Sequence, residues 1–260
     1  MLKTTFLLLI IFLTNACTQD KISFPEDERF IQMASNNTSA QTFQKDSLWQ
    51  KAVDISVANV NWLPQKLEIS EVTKDNFGKI EEFSDATIAF SIGNRGEVVM
   101  TLVSTRENGE DTTEKRKRTF TEDQADYLPV IYDIDPFTTE HQKTILVTPL
   151  KKTREINGKT CSGYKFSFKV ENTEKAGIAW LHADKGYPAM IETTYPDTVE
   201  ENIEVSDIKL ETYYHVTSEG FCYPDIEITT MNLSASSMLF STWNGNTRIE
   251  VKFNEYVHLQ

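Results

Sequence analysis

The chain has 260 residues, of which 39% are apolar and 25% charged, and a formal net charge of −13. That balance belongs to a globular domain, too apolar for a disordered chain and too charged for a bundle of membrane spans. So acidic a surface repels phosphate backbones, which argues against nucleic-acid binding; it favours solubility without specifying an activity.

In chain order, Lys3 precedes an apolar stretch "FLLLIIFL" (Phe6 to Leu13), followed by "TNA" and then Cys17. The stretch is far shorter than the roughly 20 residues that cross a bilayer. A positive start, an apolar middle and a small polar exit read as a secretory signal. With Ala16 directly before Cys17, the segment resembles the lipobox of bacterial lipoproteins, although Thr14 stands where leucine is usual. The resemblance implies cleavage after residue 16 and acylation of Cys17 by palmitate-type chains, the membrane being the partner that Cys17 holds. Each buried CH₂ is worth about 0.8 kcal/mol and one chain alone is marginal, so several chains anchor stably. Thr18 differs from the aspartate that resembles an inner-membrane retention signal, and "TQDK" has no dense acidic run. The expected address is therefore the outer membrane, periplasmic face, with surface exposure as the alternative. The expected divisions are a lipoprotein signal peptide over 1–16, an acylated cysteine and tether over 17–41, and one domain over 42–260. Within the tether, "PEDERFIQM" suits a short helix opened by Pro25, and "SNNTSAQ" is loop-like.

"DSLWQKAVDISVANV" places Trp49, Val53, Ser56, Val57 and Val60 on one helical stripe, with Asp46 or Ser47 as cap and Pro64 barring continuation. Beyond it the apolar period becomes two. Tyr164, Phe166, Phe168 and Val170 alternate with polar residues, as do Ile208, Leu210, Thr212, Tyr214 and Val216, and then Ile249, Val251 and Phe253. Turns are expected at "GNRG" (93–96), "ENGED" (107–111), "INGK" (156–159), "DKGYP" (184–188) and "WNGN" (243–246), since Asn-Gly pairs tolerate the positive φ of tight hairpins. The fold class is mainly β (α+β). About nine to eleven antiparallel strands follow one main N-terminal helix; a sheet that large with one apolar face must curl around something, and the helix is the natural filling.

Three stretches, "INGKTCSGYKFSFKV", "GIAWLHADKGYPAMIETTYP" and "STWNGNTRIEVKFNEY", resemble the outer-membrane lipoprotein-sorting-protein-like families of LolA/LolB/LppX type, over roughly residues 42–256. The resemblance implies a curved antiparallel β half-barrel packed on the helix, with a concave apolar groove that takes acyl chains, of a lipid or of an acylated protein. Phe166, Phe168, Trp180, Leu210, Tyr214, Ile249 and Val251 are the candidate lining residues, with ordinary core packing against the helix the favoured account for each. Trp180, Gly186 and Pro188 also have structural accounts as a plug, a turn and a strand start.

The search for chemistry is thin. His141, His182, His215 and His258 are scattered, with no His-Glu-x-x-His pair, no zinc-spaced cysteines, no Gly-x-Ser-x-Gly elbow and no phosphate-cradling loop. Asp133 and Asp135 in "YDIDP" share a face if extended, without further ligands beside them. Cys161 and Cys222 lie beside turns and are candidates for a disulfide in an oxidising periplasm. "EKRKR" (114–118) is the one dense basic run, either a solvated face or a contact for anionic headgroups or an acidic partner. No catalysis, cofactor or metal is expected. The function expected is binding or transfer of a lipid or acylated protein. The alternative is a scaffold or accessory module of an outer-membrane complex whose groove is fully packed.

Overall fold

A computed structural model describes residues 46–59, 62–93, 98–118, 120, 135–170, 173–195, 197–200, 203–237 and 240–258. The expectations for the signal peptide, Cys17 and the tether lie outside these residues, as does Asp133. The described elements fall in one compact unit, Ser47–Gln260. Their order is α1 (Ser47–Ala58), β1 (Trp62–Asp75), β2 (Ile80–Ile92), β3 (Val98–Glu107), β4 (Glu110–Asp111), α2 (Thr113–Lys117), a 3-10 turn at His141–Lys143, β5 (Leu146–Ile156), β6 (Lys159–Val170), β7 (Thr173–His182), β8 (Pro188–Thr194), β9 (Thr198–Glu200), β10 (Ile203–Val216), β11 (Cys222–Ser237) and β12 (Phe240–His258).

The strands form one open, curved, antiparallel sheet in the order β4-β3-β2-β1-β12-β11-β10-β8-β7-β6-β5, with β9 pairing β10 off this path. Twelve strands among the described residues exceed the expected nine to eleven because β4 and β9 are fragments of two and three residues. β1 and β12 run together through the middle, from Trp62 opposite His258 to Asp75 opposite Gly245.

Two Asn-Gly pairs make the expected hairpin turns. Asn108 and Gly109 have φ of 50° and 85°, and Asn157 and Gly158 have 50° and 71°. Positive φ at both central positions is what such two-residue turns require. The third pair is a correction. "WNGN" lies inside β12, where Gly245 pairs with Asp75 on one side and Leu233 on the other. A Cβ there would sit 2.5 Å from the Trp243 ring and 2.8 Å from the Lys74 carbonyl, so the glycine serves close packing instead of a turn. Gly186, in the β7–β8 connection, does combine both needs: φ is 77°, and a Cβ would meet Lys51 Cβ of α1 at 2.8 Å.

Trp49, Ala52 and Val53 are the buried positions of α1. Val57, expected on the same stripe, is 50% exposed, so the helix buries a narrower face than its apolar residues span. Strand residues alternate between faces, and cross-strand partners share a face, so the pairing register maps the whole sheet. The face toward α1 is called the inner face here. On the outer face, ion pairs run along the strands: Lys66–Glu68 at 2.6 Å, Lys209–Glu211 at 2.5 Å, Arg248–Glu250 at 3.0 Å, and Arg154–Glu192. Exposed pairs of this kind add about 0–1 kcal/mol each and mark the wet side.

Candidate ligand groove

α1 packs on the inner face at the β6–β8 end of the sheet. Trp49 of α1 is fully buried, with its ring centroid 4.9 Å from Phe137, 5.7 Å from Tyr164 and 6.5 Å from Phe166, and its indole Nε1 donates to Gln142 Oε1 at 3.1 Å. Around it gather Ala52, Val53, Ile145, Phe168, Ala179, Leu181 and Ile191. Asp135 ties the segment after residue 134 to the helix. Ser56 Oγ donates to Asp135 Oδ2 at 2.8 Å, and the Phe137 amide donates to Oδ1 at 2.9 Å. Burial pushes the Asp135 carboxyl above its usual range, and those two hydrogen bonds pull the other way. The carboxylate singled out in the sequence is thus a structural tie. His141, whose ring stacks on Phe168 at 4.1 Å, meets the Asp135 carbonyl through Nδ1 at 2.9 Å.

Gly177 permits this packing. A Cβ there would lie 2.2 Å from the Glu192 carbonyl oxygen and 2.8 Å from Phe166 Cζ. The Gly-x-Ala-Trp strand therefore begins with the residue over which the Phe166 ring lies.

The register carries the inner face onward past the helix. One row reads Phe166, Gly177, Thr193, Leu210, Thr229, Ile249, Glu71 and Ser84. The next reads Tyr164, Ala179, Ile191, Thr212, Glu227, Val251, Ile69, Ala86 and Thr105. On the β1–β3 and β12 half the rows grade in polarity. Thr247, Thr73 and Glu82 form the polar end, and Phe253, Leu67, Ile88 and Leu102 the apolar end. Thr73 and Thr247 share a buried hydrogen bond of 2.9 Å between their hydroxyls.

Two carboxylates on this face are shifted. Burial, with repulsion from Glu82, lifts Glu71 to about 7, against a weak hydrogen bond donated by Ser84 Oγ at 3.5 Å. Burial also lifts Glu227 to about 7, opposed by a hydrogen bond from Thr212. Glu82 is raised by burial, with Glu107 and Glu81 adding repulsion. None of these acids was expected in the groove. Glu71 was findable, since alternation in "KLEISEVTKD" puts it on the face of Leu67 and Ile69. Glu227 was hidden, because its neighbours Ile226 and Ile228 are the ones that face outward.

Of the expected lining residues, Phe166 and Phe168 pack with Trp49 at the β6–β8 end. Leu210, Ile249 and the partly exposed Val251 lie on inner-face rows beyond it, and partly buried Tyr214 packs against the edge of the helix cluster. Burial first, and then the charge of Asp135, pushes the Tyr214 phenol well above its ordinary value. Trp180 does not line the groove. Ala179 and Leu181 on either side of it face the helix, so alternation turns Trp180 to the outer face. There it packs with Ile156, Cys161, Ala189 and Met190, under the Arg154 guanidinium at 5.8 Å.

The cysteine pair is also corrected. Cys161 and Cys222 are free buried thiols, and the sheet stands between them. Cys161 sits in the outer Trp180 cluster, and Cys222 lies on the inner side, where its thiol approaches the Pro188 carbonyl at 3.6 Å. Burial and then Asp135 push the Cys222 thiol far up, which keeps it protonated and inert. The basic run folds as α2, with Arg116 paired to Glu107 and Lys117 to Glu114 at 3.2 Å. Among the described residues, no three or more His, Cys, Asp or Glu side chains converge to hold a metal ion, and no helix is long and apolar enough to cross a membrane.

No protein-family model matches the chain, and no curated protein matches it. A solved structure to which it is similar is that of a DUF1329 family protein from Desulfovibrio piger, at 8% identity and a TM-score of 0.32, covering 81% of this chain and 91% of that one. A likeness at that level assigns neither family nor function.

Proposed function

We propose that the protein is a bacterial outer-membrane lipoprotein of the LolA/LolB/LppX type, anchored through acylated Cys17, that binds or transfers a lipid or an acylated protein without catalysing a reaction. The observation that carries this reading is the apolar lining that runs along the inner face of the curved sheet. Trp49, Phe137 and their neighbours occupy the β5–β8 end. Leu67, Ile69, Ile88, Leu102 and Phe253 continue the apolar floor on strands beyond the helix cluster. An apolar concavity of this kind buries apolar ligands, since each Å² of apolar surface withdrawn from water contributes about 25 cal/mol.

A second reading, a scaffold module in an envelope complex, is favoured by the complete burial of Trp49, which shows that part of the groove is core. Native mass spectrometry with lipid extraction, on the full chain purified from the envelope of the expressing cell, separates the two. A stoichiometric lipid or acyl ligand supports the carrier. A clean apo mass with no uptake of added phospholipid or acylated peptide supports the scaffold.

A further inference from the structure

We infer that the end of the sheet carrying the β1–β2 turn docks on a phospholipid surface with zwitterionic headgroups. This goes beyond the groove and rests only on the membrane anchorage proposed above. Among the described residues, the four most exposed large apolar side chains are Phe77 at 95%, Val199 at 75%, Leu146 at 71% and Ile80 at 53%. All four stand at that end. Phe77 and Ile80 follow the close of β1, Leu146 opens β5 opposite Ser167 near the close of β6, and Val199 lies on β9 beside the opening of β10. The register brings two of them nearly level. Val199 stands opposite Glu204, Glu204 opposite Ser234, and Ser234 opposite Asn244, one residue beyond the Gly245–Asp75 pair; Phe77 follows Asp75 by two residues. The Phe77 turn is also well tied. Asp75 Oδ1 accepts from the Phe77 and Lys79 amides, both at 2.9 Å, the Asp75 amide donates to the Lys79 carbonyl at 2.9 Å, and Gly78 takes φ of 82°. A ring presented on so fixed a turn has little backbone freedom left to lose on binding.

The occupant is a bilayer and not a folded protein. Seven strand steps separate β1 from β5 in the sheet order, about 34 Å along the sheet at the usual strand spacing. Apolar tips so far apart form neither the contiguous patch that marks a protein partner nor the buried centre that a protein interface is built around. A fluid apolar layer admits each tip separately, and each gains by the apolar area it withdraws from water. The charged neighbours of the tips have both signs. Lys74 and Lys79 flank Phe77, Lys79 pairs with Glu81 at 2.8 Å, and Glu200 follows Val199. Neighbours of both signs match headgroups that carry both, whereas a net charge of −13 is repelled by an anionic surface. Residues 18–45, between Cys17 and the first described residue, reach at most roughly 95 Å when extended. That reach lets either end of the sheet meet the membrane that holds Cys17, so the apolar tips choose the end.

The test places a thiol-reactive, environment-sensitive fluorophore on single introduced cysteines of the acylated full chain, held in phosphatidylethanolamine–phosphatidylcholine vesicles. Cys161 and Cys222 are buried, and acylation occupies Cys17, so the dye goes to the introduced thiol. Phe77→Cys and Val199→Cys are expected to show blue-shifted emission that brominated lipid quenches. Ile92→Cys, at a position 47% exposed where β2 closes at the opposite end, is expected to show neither. Phosphatidylglycerol added to the vesicles is expected to weaken the quenching. Far-UV circular dichroism checks that the variants fold; if Val199→Cys does not, Phe77→Cys against Ile92→Cys decides. No response at 77, or an equal one at 92, overturns the docking and leaves the anchorage standing. A shift at 77 that grows with protein concentration and escapes brominated lipid assigns the tip to a second copy of the chain, and also overturns it. Quenching that strengthens with phosphatidylglycerol overturns the headgroup assignment. Uptake of dye by the wild-type chain at Cys17 overturns the anchorage and this inference with it.

Discussion

Replacing Trp49 with alanine tests whether the helix is a structural plug. Trp49 is fully buried, and a buried indole withdraws roughly 200 Å² from water, worth up to about 5 kcal/mol at 25 cal/mol per Å². Denatured chains already shield part of that surface, which lowers the figure, whereas the vacated cavity raises it; measured Trp→Ala losses in cores are about 3–5 kcal/mol. The ring contacts to Phe137, Tyr164 and Phe166 all go at once, so little can collapse into the space. We therefore expect Trp49→Ala to cost about 4 kcal/mol, a fall in Tm of roughly 8–16 °C for a domain of this size. Urea unfolding followed by circular dichroism should show a lower midpoint with an unchanged slope, the mark of lost stability without a change in the surface exposed. Added indole should restore part of the loss by filling the cavity. A cost below about 1 kcal/mol, or no response to indole, would mean that α1 is not seated on β6 as described.

Four further outcomes are expected of the same fold. Because burial lifts the Glu71 carboxyl to about 7, the native state keeps a proton that the unfolded chain releases near the ordinary carboxyl value of 4.5. Stability from this group is therefore present at low pH and lost as pH rises through that window. Glu71→Gln should leave stability unchanged at pH 4 and raise it by on the order of 2–3 kcal/mol at pH 8, and denaturation curves at the two pH values that coincide for both proteins would refute it. Gly177→Ala forces a Cβ to 2.2 Å from the Glu192 carbonyl and should destabilise by about 1–3 kcal/mol or more, as overpacking does; a melting temperature within a degree of wild type would contradict the placement of β7 between β6 and β8. Gly186→Ala, at φ 77° and against Lys51, should cost about 1–2 kcal/mol by the same melt. Cys161 and Cys222 should resist alkylation in the native protein and both be modified after unfolding without reductant; mass-spectrometric detection of a 161–222 disulfide peptide would show that the two sit on one face after all.

Sequence patterning discloses some elements well and others badly, for physical reasons. α1, β6, β10 and β12 show clean periods because each buries one face and wets the other. In β7, "IAWLH" is apolar without alternation because both faces are covered, one by the helix cluster and one by Arg154 and Met190. The largest ring therefore drew the assignment to the groove, and its direction was set by neighbours in the fold. Asn244-Gly245 reads as a turn on composition alone, yet in the middle of the sheet the same glycine answers to the Trp243 ring and a neighbouring strand. The face on which each cysteine sits depends on strand parity counted through several bulges, which spacing does not carry. The acids of the inner face escaped because charge is expected outside. Glu71 obeys alternation all the same, and its burial becomes evident only when β2 is laid beside it.

The meeting of β1 and β12 at the centre of the sheet also sets an order of assembly. Thr73 finds its hydroxyl partner 174 residues later, and closing a loop that long costs about 4–5 kcal/mol of chain entropy before any central contact repays it. A chain still lacking β12 presents two bare strand edges, one on β1 and one on β11, where the finished sheet has its middle. Such edges invite pairing with other chains. The two flanks can form hairpins early, but they become one sheet only when the final strand slides in between them, like the last stave of a barrel. Non-local closure of this kind makes folding slow and leaves the growing chain open until its C-terminal strand has been made.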